Sequence, residues 1–61
     1  MNRYQVRTHQ FSTFGEHKWD YDLEPSEPLE DFAARLALKG FLERDGEKWI
    51  MPGAITWIAP Q

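Results

Sequence analysis

Two histidines and a group of carboxylates are the side chains of this sequence best suited to hold a metal ion. His9 and His17 precede Asp20, Asp22 and Glu24 in the N-terminal half of the chain. Imidazole and carboxylate groups are ordinary zinc ligands, and alternate acidic residues open a calcium-binding loop. The glycine and the closing glutamate of such a loop are missing, and strand alternation would put His17 on the face opposite the aspartates. The sequence therefore predicts no metal site and no cofactor.

Hydroxyl groups near a histidine are a second arrangement that could carry chemistry, as a nucleophile and its base. Ser12, Thr13 and Ser26 supply the hydroxyls, and His9 or His17 could act as the base. The sequence shows no strand-turn-helix nucleophile elbow, and a small domain has little room for a pocket that excludes water. We therefore expect a protein without enzymatic activity and without catalytic residues.

Length and composition restrict the chain to a single domain, residues 1–61. It has 61 residues, three Trp, no Cys and a formal net charge of -3. A domain of this size buries only about 60% of the surface that its unfolded chain exposes, and disulfides cannot compensate. The N-terminal residues do not follow a signal-peptide pattern, and no window is apolar enough to span a membrane. The expectation is a cytoplasmic protein that does not bind membranes.

Charge is distributed in blocks along the chain. Residues 20–31 carry six carboxylates and no cation, whereas residues 49–61 carry no charged side chain. Helix capping would account for about half of the carboxylates. The others predict an acidic surface at Asp20, Asp22 and Glu24, which could contact a basic protein surface or imitate a phosphate backbone.

Two strands are predicted before the acidic block ends. Residues 4–9 alternate β-branched or aromatic with polar side chains, and residues 16–24 alternate more cleanly. A turn at residues 12–15 would join them in a hairpin. In that hairpin Arg7 would face a carboxylate of the second strand.

A helix is predicted next, with Ser26 as its cap and Pro28 in its first turn. Apolar residues then recur at spacings of three and four, which is typical of a helix with one buried stripe. The stripe consists of Leu29, Phe32, Ala33, Leu36 and Ala37. Gly40 follows the last residue of the pattern and is a typical helix stop.

Two turn signals predict three further strands. Asp45 and Gly46 form a hairpin signal, and closure there would create two pairs of opposite charge, Glu43 with Lys48 and Arg44 with Glu47. A second turn at residues 52–53 would lead to a last strand at residues 54–58. The predicted fold class is α+β in the order ββαβββ, a small antiparallel sheet with one amphipathic helix packed on one face.

The uncharged C-terminal block carries more apolar side chains than one helix can cover. Alternation along residues 49–51 and 54–58 places apolar groups on both faces of a hairpin, so a second layer is required. The sequence therefore predicts a non-enzymatic protein-protein interaction module, a homo-oligomer or a partner of another protein, that associates through this aromatic C-terminal hairpin. The expected interface residues are Trp49, Met51, Ile55, Trp57 and Ile58.

Two other classes of function stay open. Cations and aromatic residues mix in the first hairpin, as they do in proteins that hold single-stranded nucleic acid. The alternative is thus a small nucleic-acid-binding protein, or an inhibitor of nucleic-acid machinery of the kind that mobile elements encode, with contacts at Arg3, Arg7, His9 and Lys18. An acidic chain with seven Lys and Arg has few cations to neutralise phosphates. The third class is a ligand-binding or catalytic oligomer whose site forms between subunits.

Overall fold

The computed structural model describes residues 2–43 and 46–61, and its elements follow the predicted order ββαβββ. A short 3-10 helix, Pro52–Ala54, precedes the last strand. The elements are β1 (Tyr4–Ser12), β2 (Gly15–Leu23), α1 (Leu29–Lys39), β3 (Phe41–Leu42), β4 (Trp49–Ile50) and β5 (Ile55–Pro60). The chain is therefore an α+β protein in which one helix packs with antiparallel strands.

The strands form two sheets rather than one. A three-stranded sheet has the order β2-β1-β5, and β3 pairs with β4 in a separate two-stranded sheet. β2 pairs with the whole of β1, from Tyr4–Leu23 to Ser12–Gly15. β5 pairs with only part of β1, from Tyr4 to Thr8. The distal part of the β1–β2 hairpin therefore extends beyond β5.

The prediction that the last two strands form a hairpin with each other is wrong. β4 and β5 do not pair with each other, because β4 pairs with β3 and β5 pairs with β1. A tight hairpin turn requires residues with positive φ, and Gly53 has none because the chain passes it in a 3-10 helix. The chain therefore crosses from the small sheet to the free edge of β1 instead of folding back on itself.

The core lies between the inner face of the three-stranded sheet, α1 and the small sheet. The buried apolar residues are Tyr4, Val6, Phe32, Leu36, Phe41 and Ile50. The Tyr4 and Phe32 rings stack with their centroids 5.0 Å apart. Tyr21 meets Phe41 edge to face at 5.4 Å. The first contact joins α1 to β1, and the second joins the small sheet to β2.

The helix α1 begins later than its predicted cap. The N-terminal cap is Pro28, which the sequence predicts within the first turn; its side chain has no hydrogen-bonding group, so the helix has no side-chain cap. The predicted cap, Ser26, lies before Pro28 in the sequence. Gly40 ends the helix at φ 68, as predicted, and its N–H donates to the Leu36 carbonyl at 2.8 Å. No described helix is long and apolar enough to cross a membrane.

The hairpin between β3 and β4 has the predicted register as far as the structure describes it. The N–H of Glu43 donates to the carbonyl of Lys48 at 2.7 Å. Gly46 adopts φ 70, which is the left-handed conformation that the turn requires. The other predicted pair involves Arg44, which lies with Asp45 outside the described residues.

Candidate interaction surfaces

The predicted interface residues are divided between two surfaces. Trp57 lies on β5 with Ile55 and Ile58, and Trp49 and Met51 lie near the distal end of the β1–β2 hairpin. Trp49 is 48% exposed and Trp57 is 40% exposed, whereas the two isoleucines are partly buried. Neither indole of the uncharged block is fully buried by the chain itself.

β5 is an edge strand with main-chain groups that point away from the sheet. Gln61 N–H donates to the Arg3 carbonyl at 3.0 Å, and Ile58 pairs with Val6 in the same ladder. Because hydrogen-bonded and non-hydrogen-bonded pairs alternate in an antiparallel ladder, the N–H and C=O of Ile58 point away from β1. Pro60 has no N–H, so it limits the length over which another strand could pair with this edge.

An uncharged groove runs beside this edge. It has a volume of about 290 Å³ and lies between α1 and β5. Its walls include Ala33, Ala37, Pro52, Ile55, Trp57 and Ile58. The two alanines make the groove possible because their side chains are small. We refer to β5 and these groove residues as the β5 edge surface.

Trp57 is oriented by a cation on the outer face of the three-stranded sheet, the face away from α1. The guanidinium carbon of Arg7 lies 4.3 Å from the centre of the Trp57 ring. The same guanidinium faces Asp20, with Nε 3.7 Å from the carboxylate oxygen. The predicted position of Arg7 opposite a carboxylate is confirmed. The contact leaves Trp57 at the surface but fixes one side of its indole.

The four residues proposed to contact nucleic acid all lie on the outer face, where three of them face carboxylates. Arg3 pairs with Glu24, Arg7 with Asp20, and His9 with Glu16. His9 opposes Lys18 in the ladder. The hydrogen bond from His9, with the nearby charge of Lys18, holds the pKa of the Glu16 carboxyl below its usual value. Most of these cations are therefore compensated within the chain.

Two of the three carboxylates of the predicted acidic surface face cations. Asp20 faces Arg7, and Glu24 binds Arg3. Asp22 accepts a hydrogen bond from the Gln61 side chain at 2.6 Å. The three carboxylates do lie side by side on the outer face, but each has a partner. Asp20 and Glu24 are thus paired with cations, whereas Asp22 bonds to a neutral amide.

A second groove, the tip groove, lies where the distal part of the β1–β2 hairpin meets β4. It has a volume of about 660 Å³. The side chains that define it are His9, Phe11, His17, Lys48, Trp49 and Met51. Sequence reasoning missed this groove because the contact between the first hairpin and β4 is not local. The available signal was alternation, which put His17 on the inner face of β2 beyond the core residues.

The Ser12 hydroxyl and the His9 ring bond to other groups of the first hairpin. Ser12 Oγ donates to the Gly15 carbonyl and accepts from Phe14 N–H, each at 3.2 Å, and so stabilises the turn. His9 contacts Glu16 rather than a hydroxyl. Across residues 2–43 and 46–61, no three His, Asp or Glu side chains are grouped so that they could hold a metal ion.

The β5 edge surface and the tip groove are thus two surfaces where apolar side chains stay exposed beside polar groups. No family model, curated protein or solved structure matches the chain. A functional argument therefore begins from the geometry of these two surfaces.

Proposed function

We propose that the protein is a non-enzymatic interaction module that forms a homodimer through its β5 edge surface. The observation that carries this proposal is an uncharged edge strand, residues 55–60, whose Ile58 main-chain groups point away from the sheet. Unpaired edges are ready templates for another strand. Antiparallel pairing of two identical edges is self-complementary, as a twofold interface must be.

The other edge of the same sheet supports the choice of β5. β2 carries Glu16, Lys18, Asp20 and Asp22 along its length, and charged side chains on an edge strand oppose pairing with another chain. β5 has no such protection. The two edges therefore differ in the property that decides whether a strand can be added.

Side chains must contribute to the dimer because the edge offers few main-chain bonds. Pro60 restricts pairing to residues 55–58, and the Ile55 N–H already donates to the Pro52 carbonyl. A twofold axis near Trp57 would bring the two indoles together, and an aromatic pair contributes about 0.5–1.5 kcal/mol beyond its buried area. The groove beside Ala33 and Ala37 would receive apolar side chains from the partner.

Sedimentation equilibrium of the full chain over the micromolar range tests the proposal. The wild-type protein is expected to approach twice the 7.2 kDa chain mass as its concentration rises. Trp57→Glu should remain a monomer, because the two copies would bring two carboxylates together at the twofold axis. The fold should tolerate the change, because Arg7 still faces Asp20. Thr56→Lys, which adds a cation at the same edge, should have the same effect.

Phe14→Glu is the matched control for the charge change. Phe14 is 94% exposed in the turn between β1 and β2, so this variant also replaces an exposed aromatic side chain with a carboxylate. It should dimerise like the wild type. A monomeric wild type at all concentrations, or equal dimerisation of the Phe14 and Trp57 variants, would contradict the proposal. Circular dichroism of each variant establishes that its fold is kept.

A further inference from the structure

The tip groove has exposed apolar walls. Phe11 is 76% exposed, Met51 is 63% exposed and Trp49 is about half exposed. The Phe11 ring lies against His9, with the ring centres 4.5 Å apart, so one wall is held in place. Methionine adapts its shape to what it contacts. The volume of about 660 Å³ falls within the range of small-molecule sites.

The groove also contains polar groups without partners. His17 and Lys48 line it, and neither side chain makes a hydrogen bond or ion pair with any residue that the structure describes. Glu43 shares an adjoining groove with both but lies beyond ion-pair distance of Lys48. Glu16 is bound to His9 and is not among the residues that line the groove. The described residues that line the groove therefore supply a positive charge and no carboxylate, with Gln10 and Ser12 as the neutral polar side chains.

We infer that the tip groove binds a small aromatic anion, a planar ring that bears one carboxylate or similar acidic group. The ring would lie among Phe11, Trp49 and Met51, and the anionic group would accept hydrogen bonds from Lys48 and His17. Such bonds are charge-assisted and about twice as strong as neutral ones. This inference does not depend on dimerisation, because none of the defining groove residues lies on β5.

A small ligand fits the groove better than a nucleic acid. Nucleic acids are held by several cations that follow the phosphate backbone, whereas the groove offers Lys48 as its only lysine or arginine among the described lining residues. One cation and one imidazole match a single anionic group.

The test is a titration of the full chain with naphthoate, in which binding is monitored by two-dimensional NMR and by Trp fluorescence. The amide shifts are expected to concentrate at residues 9–12, His17 and residues 48–54. Naphthalenemethanol, which keeps the ring and lacks the charge, should bind about tenfold more weakly. Lys48→Gln and His17→Gln should each weaken naphthoate binding several-fold.

Lys18→Gln is the matched control, because Lys18 is adjacent to His17 in β2 but is not among the residues that line the groove. It should leave naphthoate affinity unchanged. The inference is overturned if the Lys18 and Lys48 variants lose affinity equally, if the neutral analogue binds as well as naphthoate, or if no saturation is reached. Tighter and steeply salt-dependent binding of a single-stranded oligonucleotide at the same residues would also overturn it. Trp57→Glu should bind naphthoate normally, which separates this test from that of the dimer.

Discussion

Replacing Gly40 with alanine would test how α1 is joined to the small sheet. Gly40 adopts φ 68 and ψ -158 where the helix ends. A methyl group at this position would overlap the carbonyl oxygen of Ile50 and would lie 3.1 Å from Cδ of Pro52. The Ile50 side chain is fully buried, so its carbonyl cannot move away without disturbing the core.

The expected loss of stability combines two effects. The backbone conformation of Gly40 is one that is essentially restricted to glycine, and it costs other residues about 1–3 kcal/mol. Forcing extra volume into a packed region costs about 1–3 kcal/mol more. A chain of this length has a total unfolding free energy of about 3–9 kcal/mol. Gly40→Ala should therefore lose much of the stability of the fold, and a large fraction of the molecules should be unfolded at moderate temperature.

Urea denaturation followed by Trp fluorescence, at one fixed protein concentration, measures the effect. Two other glycines provide controls. Gly46 has φ 70 but open space around it, so Gly46→Ala should cost only the conformational strain, about 1–2 kcal/mol. Gly53 has open space and no positive φ, so Gly53→Ala should be neutral or stabilise by up to about 1 kcal/mol. Equal midpoints for the Gly40 and Gly53 variants would refute the reasoning.

Three further predictions concern the buried side chains of Leu36 and Thr8 and the phenol of Tyr21. Leu36→Ala removes a fully buried side chain and should cost about 2–5 kcal/mol, whereas Leu38→Ala, at an exposed position, should change stability by less than about 0.5 kcal/mol; similar losses in urea would contradict this placement. Thr8→Val keeps the volume of a buried side chain but removes its hydrogen bond to a β2 carbonyl at 3.0 Å, so a loss of about 1 kcal/mol is expected, and an unchanged midpoint would exclude a stabilising role. Burial, with the charge of Glu43, raises the pKa of the Tyr21 phenol, so the folded chain keeps this proton longer than the unfolded chain and stability should fall as the pH rises above about 10. Ultraviolet absorbance of the phenolate should show one tyrosine with a pKa above the ordinary value. This titration should be missing in Tyr21→Phe, which would assign it to Tyr21.

The parts of the fold that depend on near neighbours could be predicted from the sequence. The alternation in β1 and β2 sets both their pairing and the position of Arg7 opposite Asp20. The apolar stripe and Gly40 locate α1 within a few residues. Each of these features is decided by side chains that are close in sequence or joined by a short turn, so a local pattern contains the necessary information.

The pairing of β5 with β1 could not be predicted in this way. Thr56 Oγ1 donates to the Arg7 carbonyl across 49 positions of sequence, and no local pattern specifies such a partner. Pro52 and Gly53 are compatible with a hairpin turn as well as with the 3-10 helix that forms. The choice between them depends on the free edge of β1, which exists only after the first hairpin has folded.

The candidate surfaces were predictable in composition but not in location. An excess of apolar residues without charges in the last part of the chain indicated that the indoles would not be fully buried, and Trp49 and Trp57 are both partly exposed. Their separation depends on β4 and β5 belonging to different sheets. The tip groove depends on the same fact, because it forms where β4 meets the extended end of the first hairpin.

Hydrogen exchange at the Ile58 amide is the most direct measure of dimerisation through β5. In a monomer this N–H faces solvent, whereas the neighbouring Ala59 N–H faces β1, so the two amides should differ strongly at low concentration. If β5 pairs with a second copy, exchange at Ile58 should slow as the protein concentration rises while Ala59 changes little. Fast exchange at Ile58 at every concentration, in a sample that sediments as a dimer, would show that the chains associate through another surface.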